Sequence, residues 1–217
     1  MELLRQFISY FLHLDVHLGE LLRNYGGWTY AILFLIIFVE TGLVVMPLLP
    51  GDSLLFAAGT FAALGDLDPW LLTGLLIVAA VLGDGLNYHI GKAIGPRAFS
   101  GNVRFLKREY LEKTQAFYDK HGGKTIILAR FIPIVRTFAP FVAGVGTMRY
   151  GRFLAYNVVG AVVWVTGFVW LGYAFGNIPA VKERFSLVIL GIIAVSVLPI
   201  AIEMYKGWRA GRHARGG

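Results

Sequence analysis

The sequence contains no cysteine, which excludes disulfide staples, thiolate nucleophiles, zinc–thiolate centres and iron–sulfur clusters, and leaves the redox compartment undetermined. Charge is scarce as well: 15% of the residues are charged and 57% hydrophobic, against roughly a quarter charged in soluble domains. The solvent of this chain is therefore lipid. The common catalytic signatures are missing too, with no His-Glu-x-x-His, Gly-x-Ser-x-Gly, phosphate-loop or Gly-rich dinucleotide pattern. Hydrolase, kinase and dehydrogenase readings have no support, so the chain reads as a non-enzyme without cofactor or metal.

What the sequence has in abundance is long hydrophobic runs. The net charge of +7 falls between and after these runs, as the positive-inside rule expects, so the partner is membrane lipid and not nucleic acid. Residues 1–24 lack the pattern of a cleavable signal peptide. Leu3, Leu4, Phe7, Ile8, Phe11 and Leu12 recur there at helical spacing, so this segment is expected to be retained as an amphipathic interfacial helix.

Residues 25–206 read as one transmembrane domain. A first span, residues 28–45, opens with Trp28 and Tyr30 at headgroup level and contains Glu40. The apolar segment after it is interrupted by Pro47, Pro50 and Gly51; the two prolines remove helical donors, so the chain is expected to form a re-entrant hairpin. Residues 70–91 can span, with Asp84, Asn87 and His89 in their second half. Residues 97–124 form a basic loop, expected to be cytoplasmic. The run TIILARFIPIVRTFAPFVAGVG is again apolar, again broken by Pro133 and Pro140, and carries Arg130 and Arg136. Residues 153–175 and 187–205 complete the spans. The basic tail at 207–217 places the C-terminus in the cytoplasm; the N-terminus follows it there, and the acidic loop at 66–68 is external.

In this topology the broken segments enter from opposite faces, as in an inverted repeat made of residues 28–95 and 125–176. Local sequence agrees. Each broken segment carries a Pro followed by Ala-Gly (Ala58-Gly59, Ala143-Gly144), and each following helix ends in Gly-x-Ala-x-Gly (Gly91 to Gly95, Gly172 to Gly176), a spacing suited to close helix packing. The expected fold is an all-α integral membrane protein of about four transmembrane helices, two facing re-entrant hairpins and an N-terminal amphipathic helix.

An ionised side chain in hydrocarbon costs roughly 2.5–3.5 kcal/mol on insertion scales, so Glu40, Asp52, Arg130 and Arg136 need a reason to be there. Mutual pairing in a wet pocket near the midplane supplies one, with the carboxylates of the first half neutralising the arginines of the second. Asp52, after Pro-Gly, suits an N-cap equally well; alternatively Asp52 or Glu40 takes up and releases a proton. The two arginines could serve charge balance alone or grip one anionic headgroup, since a guanidinium fork matches phosphate. Asp84 and Asn87 either line the same cavity or sit solvated near the helix end.

The stretches FVETGLVVMPLLPGDSLLFAAG and ILARFIPIVRTFAPFVAGVG resemble the two signature regions of the DedA family, also called the SNARE-associated or VTT-domain superfamily. The KHGGKTI and YNVVGAVVW stretches extend the likeness, which is to the bacterial proton-dependent subgroup. The resemblance implies a bacterial inner-membrane protein with two facing hairpins and essential charges at Glu40, Asp52, Arg130 and Arg136. It further implies proton-coupled translocation of a polyprenyl-phosphate carrier lipid, with phospholipid scrambling in eukaryotic relatives. The expected function is return of undecaprenyl phosphate or a related phospholipid across the membrane, driven by the proton-motive force. A proton-coupled antiporter of small cations or drugs is the alternative. The expected partners are an anionic isoprenoid or phospholipid, protons and membrane lipids; a homo-oligomer stays open.

Overall fold

The computed structural model describes residues 26–43, 51–95, 108–146 and 148–178. The expectations placed on residues 1–24, on Pro47 and Pro50, on 97–107, on the 187–205 helix and on the 207–217 tail lie outside the described residues. Among the described residues every regular element is helical.

Helix α1, Trp28–Gly42, is apolar from Ala31 to Val39 and ends at Gly42, after which Leu43 turns extended. Its 15 residues reach about 22 Å, short of the ~30 Å hydrocarbon core. Helix α2, Gly51–Leu64, is as short. The Asp68 amide donates to Tyr30 Oη at 2.7 Å, so the start of α1 lies beside the loop that follows α2. At the opposite ends the Gly51 amide donates to Glu40 Oε1 at 3.2 Å. Helices α1 and α2 are thus two arms that begin and finish at one end of the molecule. Helix α1 ends at Gly42, where it meets Gly83, three residues short of the expected bound at 45.

Helix α3, Pro69–Ile94, starts cleanly: Asp68 Oδ1 accepts from the Leu71 amide at 2.7 Å and Pro69 supplies the fixed φ of a first turn. It ends at Gly95, whose φ of 60° needs no Cβ. Gly95 is therefore a helix terminator, not the packing residue its spacing suggested. After α4, Arg108–His121, and a 3-10 turn, Gly122–Lys124, comes the five-residue α5, Thr125–Ala129.

The second break falls between Arg130 and Ile132, whose amides bond three residues back, to Ile127, Leu128 and Ala129. Ile132 is extended, as the residue before a proline prefers, and Pro133 opens α6, Pro133–Val145. Pro140 lies inside α6 without ending it. It withholds a donor from the Arg136 carbonyl, so the reversal is shaped by Pro133 and not by Pro140. Helix α7, Tyr150–Gly176, closes the described chain.

Among the described residues α3 and α7 are long and apolar enough to cross a membrane. Each crosses the short helix of the other half through glycine. A Cβ on Gly59 would strike the Val169 backbone and one on Gly172 the Phe56 backbone, joining α2 to α7. A Cβ on Gly144 would strike the Tyr88 backbone and one on Gly91 the Phe141 backbone, joining α6 to α3. The two crossings use the same device, a large residue followed three positions later by Gly on both helices.

Polarity runs inside out. Val78, Leu82, Val159, Val163 and Leu171 are half exposed, whereas Glu40, Asp84, Asn87, Arg130 and Asn157 are buried. That arrangement is stable only in an apolar solvent. Trp28 and Trp70 project at one end, the second edge-on to Trp170 at 4.7 Å between centroids; Tyr88, His89, Tyr150 and Phe153 cluster at the other.

Replacing Gly59, Gly91, Gly144 or Gly172 by Ala forces these backbones apart and is expected to cost about 1–3 kcal/mol each. Gly74→Ala and Gly167→Ala meet nothing within 4 Å and should be neutral or slightly stabilising. Unfolding of the purified protein in micelles checks the contrast, and equal effects in both sets would contradict the crossings.

Candidate functional site

The site is built where the two breaks meet. Arg136 sits one turn into α6, its amide anchored on the Ile132 carbonyl at 2.8 Å. Its guanidinium donates through Nη2 to Glu40 Oε1 and through Nη1 to Asp52 Oδ1, both at 2.8 Å. Glu40 comes from the last turn of α1 and Asp52 from the first turn of α2. They approach because residue 51 is Gly: a Cβ there would collide with the Glu40 carboxylate. The Asp52 carboxylate accepts a second bond from Trp164 Nε1 at 2.8 Å, which occupies the oxygen in tertiary contacts.

Arg130 does not join this group. Its Nη2 donates to Asp84 Oδ2 and to Asn157 Oδ1, each at 2.6 Å, and the side chain lies against Gly160 of α7. The expectation that Arg130 pairs with Glu40 and Asp52 is thereby corrected. Asp84, on α3, faces inward and is its counter-ion, and the solvated alternative for Asp84 is set aside by its burial. Asn157 Nδ2 donates in turn to the Val81 carbonyl at 3.1 Å. Asn87, fully buried, ties the breaks together by donating to the Thr41 and Thr137 carbonyls at 3.2 and 2.9 Å.

Trp164 joins the two ion-pair groups. The Arg130 and Arg136 Cζ atoms lie 5.6 and 5.2 Å from its ring centroid, within cation–π range. The groups differ in access: the Arg136 and Asp52 side chains keep 12% and 24% exposure, those of Arg130 and Asp84 only 2% and 5%. Among the described residues, Glu40 Oε2, Asn87 Oδ1, Arg130 Nε and Arg130 Nη1 are buried without a hydrogen-bond partner. Buried polar atoms left open are capacity for water or a polar guest.

The sequence reading passed over Asn157 and Trp164. An Asn within an apolar run was the available signal for the first, and an indole far from either helix end, where interfacial rings belong, for the second.

Arg130→Met strands a buried Asp84 charge and is expected to destabilise by about 3–5 kcal/mol, most of it recovered in Arg130→Met/Asp84→Leu. Chemical unfolding in micelles measures this cycle; purely additive losses would mean the pair is not coupled. Trp164→Phe keeps a ring but loses the bond to Asp52, a loss of about 1.5–3 kcal/mol in the same measurement, with Trp164→Leu losing more.

Residues 49–174 match the VTT domain family, a range that holds every member of the two ion-pair groups except Glu40. The chain is 56% identical to Protein DedA of Escherichia coli K12 over 217 residues, 99% of each chain. It is 48% identical over 176 residues to an uncharacterized membrane protein of Mycobacterium leprae, covering 81% of this chain and 79% of that one. It is 33% identical over 174 residues to the inner membrane protein YghB of Escherichia coli K12, covering 80% and 78%. No solved structure matches the chain. Inside-out polarity, two membrane-length helices and end-to-end likeness agree: this chain is a membrane protein and belongs to the VTT-domain, DedA family.

Proposed function

We propose that the protein is a proton-coupled translocase of a phosphate-bearing lipid, with undecaprenyl phosphate as its foremost substrate. It acts in the bacterial inner membrane with both termini cytoplasmic. On this reading α1–α2 and α5–α6 are re-entrant hairpins entering from opposite faces, with α3 and α7 as the spans of an inverted repeat. No covalent chemistry takes place.

The observation that carries the reading is the charge balance of the buried set. Glu40, Asp52 and Asp84 supply three carboxylates against the two guanidiniums of Arg130 and Arg136. With all ionised, these five groups carry one net negative charge among the described residues, which one proton removes. The proton belongs with Glu40 or Asp52, because Asp84 is matched one-to-one by Arg130. Protonating both releases the Arg136 fork, whose two donating arms suit phosphate oxygens as well as carboxylates. Phosphate then takes the place of the carboxylates on Arg136, and their deprotonation on the other side re-forms the bridge and expels it. Arg130 is the less exposed arginine and has two unpartnered donors; it adds positive field and reserve hydrogen bonds to the phosphate site. The isoprenoid tail stays in the bilayer throughout.

The free Glu40 Oε2 favours one alternative, an antiporter in which the carboxylates hold a small cation. Vesicles containing the purified protein and labelled undecaprenyl phosphate separate the readings. Translocation is expected to accelerate under an imposed pH gradient, to fall about a hundredfold or more in Arg136→Ala, and to lose its gradient dependence in Glu40→Gln. Transport surviving in Arg136→Ala overturns the phosphate role. Cation-driven proton release that persists in Arg136→Ala and vanishes in Glu40→Gln supports the antiporter, and translocation indifferent to the gradient in wild type makes the protein a scramblase.

A further inference from the structure

A cavity of about 720 Å³ opens away from the ion-pair groups, between α4, the 3-10 turn, the end of α6 and the start of α7. That volume lies in the range of small-molecule sites. Among the described residues its lining includes Arg149 and Arg152 and no carboxylate. Arg149 is the N-cap residue of α7 and Arg152 its third helical residue, and neither forms an ion pair among the described residues.

The cavity has fixed walls. Tyr118 Oη donates to the Ala139 carbonyl at 2.9 Å and fastens α4 to α6. Tyr88 Oη donates to the Met148 carbonyl at 2.6 Å and fastens the rim to α3. Gly123 lies so close to the Tyr156 ring that a Cβ would strike it, which seats the 3-10 turn against α7. The N-terminus of α7 carries no side-chain cap, so its first amides add partial positive charge beside the arginines. Val142, Ala143 and Met148 give the lining apolar surface as well.

Two unpaired guanidinium forks and an uncapped helix start select an anion with several acceptor oxygens, and the apolar surface selects one attached to hydrocarbon. We infer that this cavity binds the headgroup of a phosphate-monoester lipid through Arg149 and Arg152, as a docking site separate from the Arg136 bridge. The inference rests on the proposed transport in one respect, the direction of onward passage. Ala143 stands seven residues beyond Arg136 on α6, about 10 Å along the helix, so on that reading this cavity, on the side of the basic loop, takes up the headgroup that the bridge releases.

Equilibrium binding of geranylgeranyl phosphate to the full-length protein in neutral detergent tests it, with geranylgeraniol and inorganic phosphate as comparators. Wild type is expected to bind the phosphate lipid, to ignore the alcohol, and to release the lipid to inorganic phosphate only at about a hundredfold excess. Arg149→Gln/Arg152→Gln should weaken binding about tenfold or more. Arg149→Lys/Arg152→Lys keeps the charge that orients the chain and should fall in between, because lysine lacks the fork. If the Gln pair melts early, the single variants carry the test, each expected to lose about threefold. Unchanged affinity in the Gln pair overturns the site, as does competition by inorganic phosphate at equal concentration. Wild type that binds through Arg149 and Arg152 but translocates nothing supports this site and overturns the transport reading.

Discussion

A charge carried to membrane depth must find its counter-charge within hydrogen-bonding reach, and the Arg136 guanidinium does so for two carboxylates at once. Each of its arms is held at 2.8 Å, one by Glu40 and one by Asp52. Those residues lie at the facing ends of α1 and α2, so the bridge requires the first pair of short helices and α6 to converge tip to tip. Much of the architecture follows from that demand. Helices that stop part-way expose amides and carbonyls which a lipid solvent would leave unpaired. Glu40 accepts from the Gly51 amide, and Asn87 caps the Thr41 and Thr137 carbonyls. The polar residues thus pair with one another and also complete the broken backbone.

Convergence also needs helices packed closely enough to keep water from flooding the gap. The glycine crossings provide this with little side-chain volume. Gly59 and Gly172 draw α2 onto α7, and Gly91 and Gly144 draw α6 onto α3. Each short helix is thereby held by the long helix of the opposite half, so neither half is complete alone. In a membrane, where burying apolar surface between helices gains little over lipid contact, such backbone-to-backbone approach is a principal source of cohesion.

The membrane class and the breaks were legible because both are local. Hydrophobic runs, prolines and the cost of intramembrane charge each read directly from consecutive residues, and they single out Glu40, Asp52, Arg130 and Arg136. Pairing is not local. Nothing along the chain states which face of α3 turns inward, so Asp84 read equally as a solvated residue near a helix end, and Arg130 was matched to carboxylates it does not touch. The bound at residue 45 overran because composition alone does not show that the helix ends at Gly42. Pro140 looked like a second breakpoint, yet a buried helix tolerates the lost donor where Pro133 has already set the direction of the chain. Trp164 carries a third kind of information. Its indole bond to Asp52 and its two guanidinium neighbours arise only from tertiary packing.

The two ion-pair groups suit different tasks for a reason of solvation. Arg130 and Asp84 are matched one-to-one and almost sealed, so any change in their charge leaves an uncompensated ion with no water to screen it. Arg136 serves two carboxylates and keeps some access to solvent. Adding one proton there moves the buried set from a net negative charge to neutrality, so protonation relieves a cost instead of creating one. Trp164 lies between the groups, its N–H held by the exchangeable one and its ring facing both guanidiniums. A shift of Asp52 or Arg136 therefore alters the contacts of the same ring that packs against Arg130. On the proposed reading the sealed pair is the fixed part against which the bridge opens, a division of roles drawn from charge parity and burial.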